Sequence, residues 1–520
     1  MRQIWSLALD CLKKLKILTK HGLKTRKPRI LISDKFFHIK GRELVEKKWR
    51  IFVLVAIAVF MSTLDGSIVN IALPYIMKSF NTDLETIQWV VMIYLLVVSS
   101  LLLPFGRISD TQGKKIVYCS GFIIFSAGSL LCSFSLNPIF LITSRAVQGC
   151  GASMLMACSP AIIVDIFPAS ERGKALGMIG TVVAAGLSTG PLAGGLIIEF
   201  FSWRGIFYLN VPLGIAAAVA GRYILKGTAA DKGNNEPLDK VGSFFIILCL
   251  TFSLLVITHL EKWGFLSYET IGLTAVSILS GAGFIITQAS SRFPLFSLDL
   301  AKIRLFILPV VAAVCLFASL FTIIFMMPFY LTYPCGFSAS KTGSMMTAPF
   351  ILLFFISPVS GSLYDRIGSR ELCFIGMMLL AASLFSFTLV KSCMSSYSIL
   401  WRLATAGIGT AIFISPNSTA AMSAISIESR GIASAAVATA RNIGMVIGIA
   451  FAGLIFSATF FKMSHGLSLK NYSHVLEPFF MAGFHRAMMA GGIIALAGSI
   501  ISYMRGPDKP VKIDHNLLNH

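Results

Sequence analysis

The sequence predicts an all-α polytopic membrane protein, and three observations predict it. Of 520 residues, 56% are hydrophobic and 13% charged, about half the charged fraction of a soluble domain. Fourteen apolar runs fall near residues 51–73, 87–105, 116–134, 139–164, 174–198, 204–225, 241–259, 270–289, 305–331, 343–363, 372–390, 396–422, 432–461 and 484–504. Each is long enough to cross ~30 Å of hydrocarbon as a helix and too long for a barrel strand, which needs only about 10 alternating residues. The third observation is where the charge lies. Of 44 Lys and Arg, 15 fall in residues 1–50, 18 more on the same side of these spans and 8 on the other, with Arg145, Arg402 and Arg441 inside spans. Basic residues collect on the cytoplasmic side, so both termini are expected there, as an even number of spans requires.

The same numbers exclude several functions. The net charge of +21 comes without a basic module interleaved with aromatic residues, which argues against nucleic acid as a partner. The ten Cys are scattered, mostly within spans and without a CxxC, so they read as small buried hydrophobes. No metal and no cofactor is expected. The sequence has no G-x4-G-K-[ST] to power the chain with ATP, and no HExxH or GxSxG to make it an enzyme.

Residues 1–48 form a basic cytoplasmic extension. Within it, 4–20 (IWSLALDCLKKLKILTK) has the pattern of a short basic amphipathic helix for an anionic leaflet. No uninterrupted apolar core leads to a cleavage site, so a cleaved signal peptide is not expected. Span 1 is uncharged except for Asp65. A carboxylate at that depth is costly and usually faces a polar cavity, so Asp65 points to proton or cation coupling.

The chain repeats itself. Residues 106–115 (GRISDTQGKK) and 361–370 (GSLYDRIGSR) both fit G-x-x-x-D-x-x-G-x-[KR]. The pattern places Gly106, Asp110, Gly113, Lys114 and Lys115 after span 2, and Gly361, Asp365, Gly368 and Arg370 after span 10. Arg145 and Arg402, Pro160 and Pro416, and Arg172-Gly173 and Arg430-Gly431 recur at nearly the same offset, 255–258 residues for the whole set. Two related six-helix halves follow, 49–226 and 303–505, with an inserted pair at 241–289 and a cytoplasmic tail at 506–520. Secondary transporters commonly use such repeats, with the substrate between the halves near the midplane. The glycines permit tight turns. Asp110 and Asp365 are expected to pair with Arg or Lys of neighbouring loops as a latch that forms in one conformation and breaks in the other.

At this point the chain resembles the major facilitator superfamily, specifically the 14-span drug:proton antiporters of EmrB/QacA type. GRISDTQGKK is similar to the superfamily's loop 2–3 motif. Residues 177–195 (GMIGTVVAAGLSTGPLAGG) fit the antiporter motif G-x8-G-x3-G-P-x2-G-G through Gly177, Gly186, Gly190, Pro191, Gly194 and Gly195. LDGSIVNIALP (64–74) resembles the first-span signature, and SWRGIFYLNVPLG (202–214) resembles the stretch opening span 6. Independently of the resemblance, the glycine spacing in span 5 lets helix backbones approach closely and Pro191 removes a backbone donor. Span 5 is therefore expected to seal the path between the halves and to rock with them.

Depth connects two charges. At 1.5 Å per residue, Asp65 on span 1 and Arg145 on span 4 both lie ~9 Å from the outer face. The resemblance implies proton coupling for the span-1 acid and for R-x-x-Q-G, here Arg145, Gln148 and Gly149. Burial opposes the ionised carboxylate and a nearby guanidinium favours it. A substrate competing for Asp65 would release its proton. Arg402 echoes Arg145, but Thr405 replaces the Gln and span 9 has no acid, so backbone carbonyls or water are its expected partners. Arg441 is expected in helix packing or at a cavity edge.

For the substrate cavity, Met326 and Tyr330 in LFTIIFMMPFY offer an adaptable apolar surface, and Asn70, Tyr94 and Asn417 are its polar candidates. Span 10 is uncharged, whereas family relatives that export divalent cations carry an added acid there; the resemblance thus implies neutral or monovalent lipophilic substrates. The expected function is proton-driven efflux of lipophilic or cationic drugs across the cell (inner) membrane by alternating access. Alternatives are a same-fold transporter of a specific metabolite or lipid, or a sensor that transports nothing. Expected partners are the substrate, protons and the bilayer, with a periplasmic adaptor and outer-membrane channel in a double-membrane bacterium.

Overall fold

The structure, a computed structural model, describes residues 29–227, 239–264, 266–291, 298–392, 394–425, 430–467 and 469–506. The 4–20 segment and residues 507–520 lie outside them. The chain divides into two units, Met1–Arg50 and Ile51–His520, and the second holds the membrane bundle.

All regular structure among the described residues is helical. Fourteen helices are long and apolar enough to cross a membrane: α1 (Lys47–Phe80), α2 (Leu84–Gln112), α3 (Lys114–Ser133), α4 (Pro138–Ile166), α5 (Glu171–Phe200), α6 (Gly205–Ile224), α7 (Lys240–Leu260), α8 (Tyr268–Ser290), α9 (Arg304–Thr332), α10 (Ala339–Ile367), α11 (Ser369–Phe387), α12 (Ser396–Ser423), α13 (Ala436–Met463) and α14 (His474–Met504). They coincide with the fourteen apolar runs, and several continue past the run into polar caps. Asp83, Asn137, Ser338 and Ser395 accept a backbone N–H from the first turns of α2, α4, α10 and α12, satisfying donors that a helix end otherwise leaves orphaned.

Packing sorts the helices into two groups. In the first, α4 lies against α2 and α3, and α3 against α6. In the second, α9 lies against α13 and α14, α12 against α10 and α11, and α14 against α11. The groups meet where α5 touches α10 and α2 touches α13. The helices α7 and α8 pair with each other, and α7 also touches both α2 and α13, covering that seam. In both copies of the repeated loop the central glycine takes the left-handed backbone that side chains resist, with φ 93° at Gly113 and 91° at Gly368.

Glycines on α5 build the seam on two faces. A side chain at Gly186, Gly190 or Gly194 would run into Thr63, Ser67 or Ile68 of α1, and one at Gly195 would run into Ala339 of α10. From the other side, Gly343 of α10 sits on the carbonyl of Pro191. Beyond them Glu199 accepts a hydrogen bond from Ser340 N at 2.7 Å, a carboxylate of one group capping the first turn of a helix in the other. On the α2–α13 seam, Gly453 abuts Gln88 at the same end of the bundle. At the opposite end, Gly173, Gly177 and Gly180 of α5 and Gly106 of α2 have nothing within 4 Å beside them. The seam is thus clasped at one end and open towards the end that bears the α2–α3 loop.

Candidate functional site

Five helices of the first group converge on one carboxylate. Asp65 comes from α1, Arg145 and Gln148 from α4, Asn210 from α6, and Ser129 from α3, while α2 supplies Tyr94 and the carbonyl of Val90. Arg145 and Gln148, three residues apart, share a helix face. Close packing puts the other helices within reach. Gly128 of α3 lies directly on the backbone of Gln148, and Gly149 of α4 on the carbonyl of Tyr94. The helix of α6 is interrupted at Leu209, immediately before Asn210.

The site is fully buried, with Asp65, Arg145 and Gln148 all at 0% exposure. A buried ion pair holds only if its remaining polar atoms are satisfied, and the carboxylate's are. Asp65 Oδ2 accepts from Arg145 Nη1 at 2.5 Å. Asp65 Oδ1 accepts from Gln148 Nε2 at 2.8 Å and from Asn210 Nδ2 at 3.1 Å. Arg145 has other partners in place: its Nε donates to Val90 O at 3.0 Å, Nη1 also donates to Gln148 Oε1 at 2.5 Å, and the guanidinium lies 4.2 Å from the Tyr94 ring. Gln148 Nε2 also donates to Ser129 Oγ at 2.7 Å. Arg145 Nη2 and Asn210 Oδ1 are the atoms of this cluster that lack a partner among the described residues.

Chemically, three side chains from two other helices all donate to the Asp65 carboxylate. Protonation would remove the charge that draws in Arg145, Gln148 and Asn210 together, while Gln148 Oε1, Val90 O and the Tyr94 face remain to hold the guanidinium. The structure brings Asp65, Arg145 and Gln148 together. The sequence's expectation of a carboxylate facing an open polar cavity is corrected: rings and amides wall Asp65 in, so a substrate has no direct contact with it in this conformation. Asn210 and Ser129 were missed. Asn210 had a signal, as the one amide in the SWRGIFYLNVPLG stretch; Ser129 had none.

The proposed cavity residues are placed differently from expectation. Tyr94 belongs to the charge site, with its hydroxyl donating to Ser62 O at 3.2 Å. Asn70 is buried and donates to Gly66 O of its own helix at 2.9 Å. Met326 is fully buried. Tyr330 stacks on Phe484 of α14 with centroids 4.9 Å apart and donates to Lys391 O at 3.0 Å. Asn417 donates to Pro309 O at 2.9 Å and accepts from Arg505 Nη2 at 2.6 Å. Met326, Tyr330 and Asn417 therefore serve packing inside the second group, because α9 is enclosed by α13, α14 and α12 over most of its length.

The loop motif is satisfied in one copy. Lys114 Nζ lies 2.6 Å from Asp165 Oδ2 and 3.9 Å from Asp110 Oδ1. Asp365 is exposed and makes no ion pair among the described residues in this conformation. Its neighbour Arg370 lies over the Tyr503 ring at 3.8 Å instead. Arg402 behaves as expected: it donates to Ser386 O at 3.1 Å and to Ser398 O at 2.6 Å and lies 4.4 Å from the Trp401 ring.

Two six-helix groups with matching loops, joined at a seam that contains the glycine-rich α5, prompt comparison with known transporters. The Major Facilitator Superfamily model matches residues 55–449. The chain belongs to this superfamily. It is 34% identical over 469 residues to the riboflavin transporter RibZ of Clostridioides difficile, covering 90% of this chain and 100% of that protein. It is 29% identical over 405 residues to the multidrug transporter protein MdtP of Bacillus subtilis, covering 77% of this chain and 74% of that protein. A bacterial homologue of the human lysosomal transporter Spinster, solved inward-facing and unoccupied, shares the fold with a TM-score of 0.65 at 14% identity, over 88% of this chain and 97% of that one. The chain is an integral multi-pass membrane transporter with fourteen helices long and apolar enough to span a membrane, and not an enzyme.

Proposed function

We propose that this transporter exports lipophilic small molecules across the cell (inner) membrane in exchange for protons, by alternating access. The observation that carries the reading is the Asp65 carboxylate, buried and held by Arg145, Gln148 and Asn210 from two other helices. Such a charge is costly in a membrane, and one proton is enough to undo the reason for the cluster. In this mechanism the α2–α3 loop end and both termini are cytoplasmic, and the open end of the seam faces the cytoplasm. Protonation of Asp65 loosens α1 from α4 and α6. The α5 helix carries the change outward, because its glycines seat it on α1 with one face and on α10 with the other. Residues 49–226 and 303–505 then rock about the seam. Substrate and proton act on the same equilibrium through these helices, without sharing a binding atom.

A second reading has a specific observation behind it. The match to a riboflavin transporter runs over that protein's whole length, which favours a dedicated metabolite as substrate. Both readings meet one experiment. In proteoliposomes holding a pH gradient, addition of ethidium, a lipophilic cation, or of riboflavin should dissipate the gradient through the wild-type protein. An unchanged gradient with both, together with measurable movement of either compound, would rule out proton exchange while leaving transport standing.

A further inference from the structure

Arg441 is a cation in a membrane helix. Among the described residues no hydrogen bond or ion pair reaches it, and its Nε is buried without a partner. Of the other arginines within spans, Arg145 pairs with Asp65 and Arg402 donates to carbonyls and a hydroxyl. Two further groups on the same stretch of α13 are stranded as well, Thr439 Oγ1 and Asn442 Nδ2, both on buried residues. Unsatisfied polar atoms are rare in native structures, and each calls for a partner.

The helix geometry says where Arg441 points. At ~100° per residue, Arg441 lies ~20° from Gly448, which sits on Ala318 of α9. It lies ~120° in the other sense from Gly453, which sits on Gln88 of α2. Arg441 thus lies on the arc between the α9 face and the α2 face; nearer the clasped end the same angle is taken by Thr459, which accepts from Arg486 of α14. Arg441 is partly exposed. Helix α9 contains no acid, and the acids of α2, Glu85 and Asp110, lie near its two ends.

We infer that Arg441 is a substrate-binding residue, and that it takes the oxygen-rich end of the ligand: a carboxylate, a phenolate or an imide with paired carbonyls. A guanidinium presents a planar fork of donors that matches such oxygen pairs. Asn442, ~100° round the helix towards the α2 face, offers a further donor. A ligand whose only polar group is a cation meets repulsion at this position. This assignment rests on the export reading and narrows its substrate class away from lipophilic cations.

Binding to purified wild-type protein tests it, read by fluorescence polarisation with three probes: fluorescein (carboxylate and phenolate), riboflavin (imide) and ethidium (cation). The wild type should bind the first two more tightly than ethidium. Arg441→Ala and Arg441→Gln should weaken fluorescein and riboflavin by about tenfold or more, Arg441→Lys by less, and none should weaken ethidium. Elution as a single monodisperse peak checks that each variant is folded, and Arg441→Lys keeps the test sharp if the others are not. Unchanged fluorescein and riboflavin binding in Arg441→Ala would overturn the assignment. Tighter wild-type binding of ethidium would overturn the substrate class and leave export standing. No binding of any probe would count against both.

Discussion

Arg145 and Arg402 stand at matching places in α4 and α12, yet their surroundings differ in kind. Arg145 meets a carboxylate, whereas Arg402 is held by the carbonyls of Ser386 and Ser398. The offset that relates the two arginines, 257 residues, carries Asp65 onto Thr322, whose hydroxyl bonds its own helix at Ala318 O, 3.0 Å away. The loops diverge the same way. Lys114 reaches Asp165 at 2.6 Å, and at offsets of 256 or 257 Asp165 falls on Ala421 or Met422, which offer no charge. The repeated scaffold is thus shared, but among the described residues the fully buried ion pair belongs to the first group, while the ion pairs of the second, Lys302–Asp299 and His474–Glu477, lie at the surface. Carbonyl oxygens do not titrate, so in the proposed mechanism the second group is the fixed partner against which the first group moves.

The comparison is broken most severely at Asp65. Asp65→Asn should abolish proton-coupled transport, with a loss of about a hundredfold or more, and yield folded protein, because an amide still accepts from Arg145. Asp65→Ala strands a buried guanidinium and should cost several kcal/mol, read as a drop in thermal stability. Arg145→Gln should uncouple transport from the pH gradient, whereas Arg402→Gln should cost about 1–3 kcal/mol of stability with coupling intact. Equal uncoupling in both variants would erase the distinction. Asn210→Ala removes one of three donors to Asp65 and should reduce exchange by roughly tenfold, measured as the initial rate of gradient dissipation. The smallest contrast is in the loops. Lys114→Ala should slow transport, and Asp365→Asn, at an exposed carboxylate, should leave rate and stability within about 0.5 kcal/mol equivalent of wild type.

What the sequence disclosed follows the same physics. Span number was legible because hydrocarbon demands a long apolar run for each crossing. The pairing of Asp65 with Arg145 was legible because rise per residue fixes depth. Rotation about the helix axis was not. In soluble proteins polarity marks the outward face, but lipid and protein interior are equally apolar, so nothing in LFTIIFMMPFY distinguishes a face packed on α14 from one lining a cavity. Met326 and Tyr330 were misplaced for that reason. Asn210 and Ser129 escaped notice because their role depends on which way α6 and α3 are turned. The glycines of α5 were read as close-packing residues; Gly186, Gly190, Gly194 and Gly195 pack closely, whereas Gly177 has nothing within 4 Å. That they serve two helices at once is a property of the assembled seam.

The central claim is that Asp65 holds and releases the exchanged proton. Substrate-linked proton release tests it most directly, with riboflavin and ethidium added to purified protein in weakly buffered detergent solution containing a pH indicator. The wild type and Arg402→Gln should release protons on binding, and Asp65→Asn should release none while still binding the ligand. Proton release of equal size from Asp65→Asn would contradict the account.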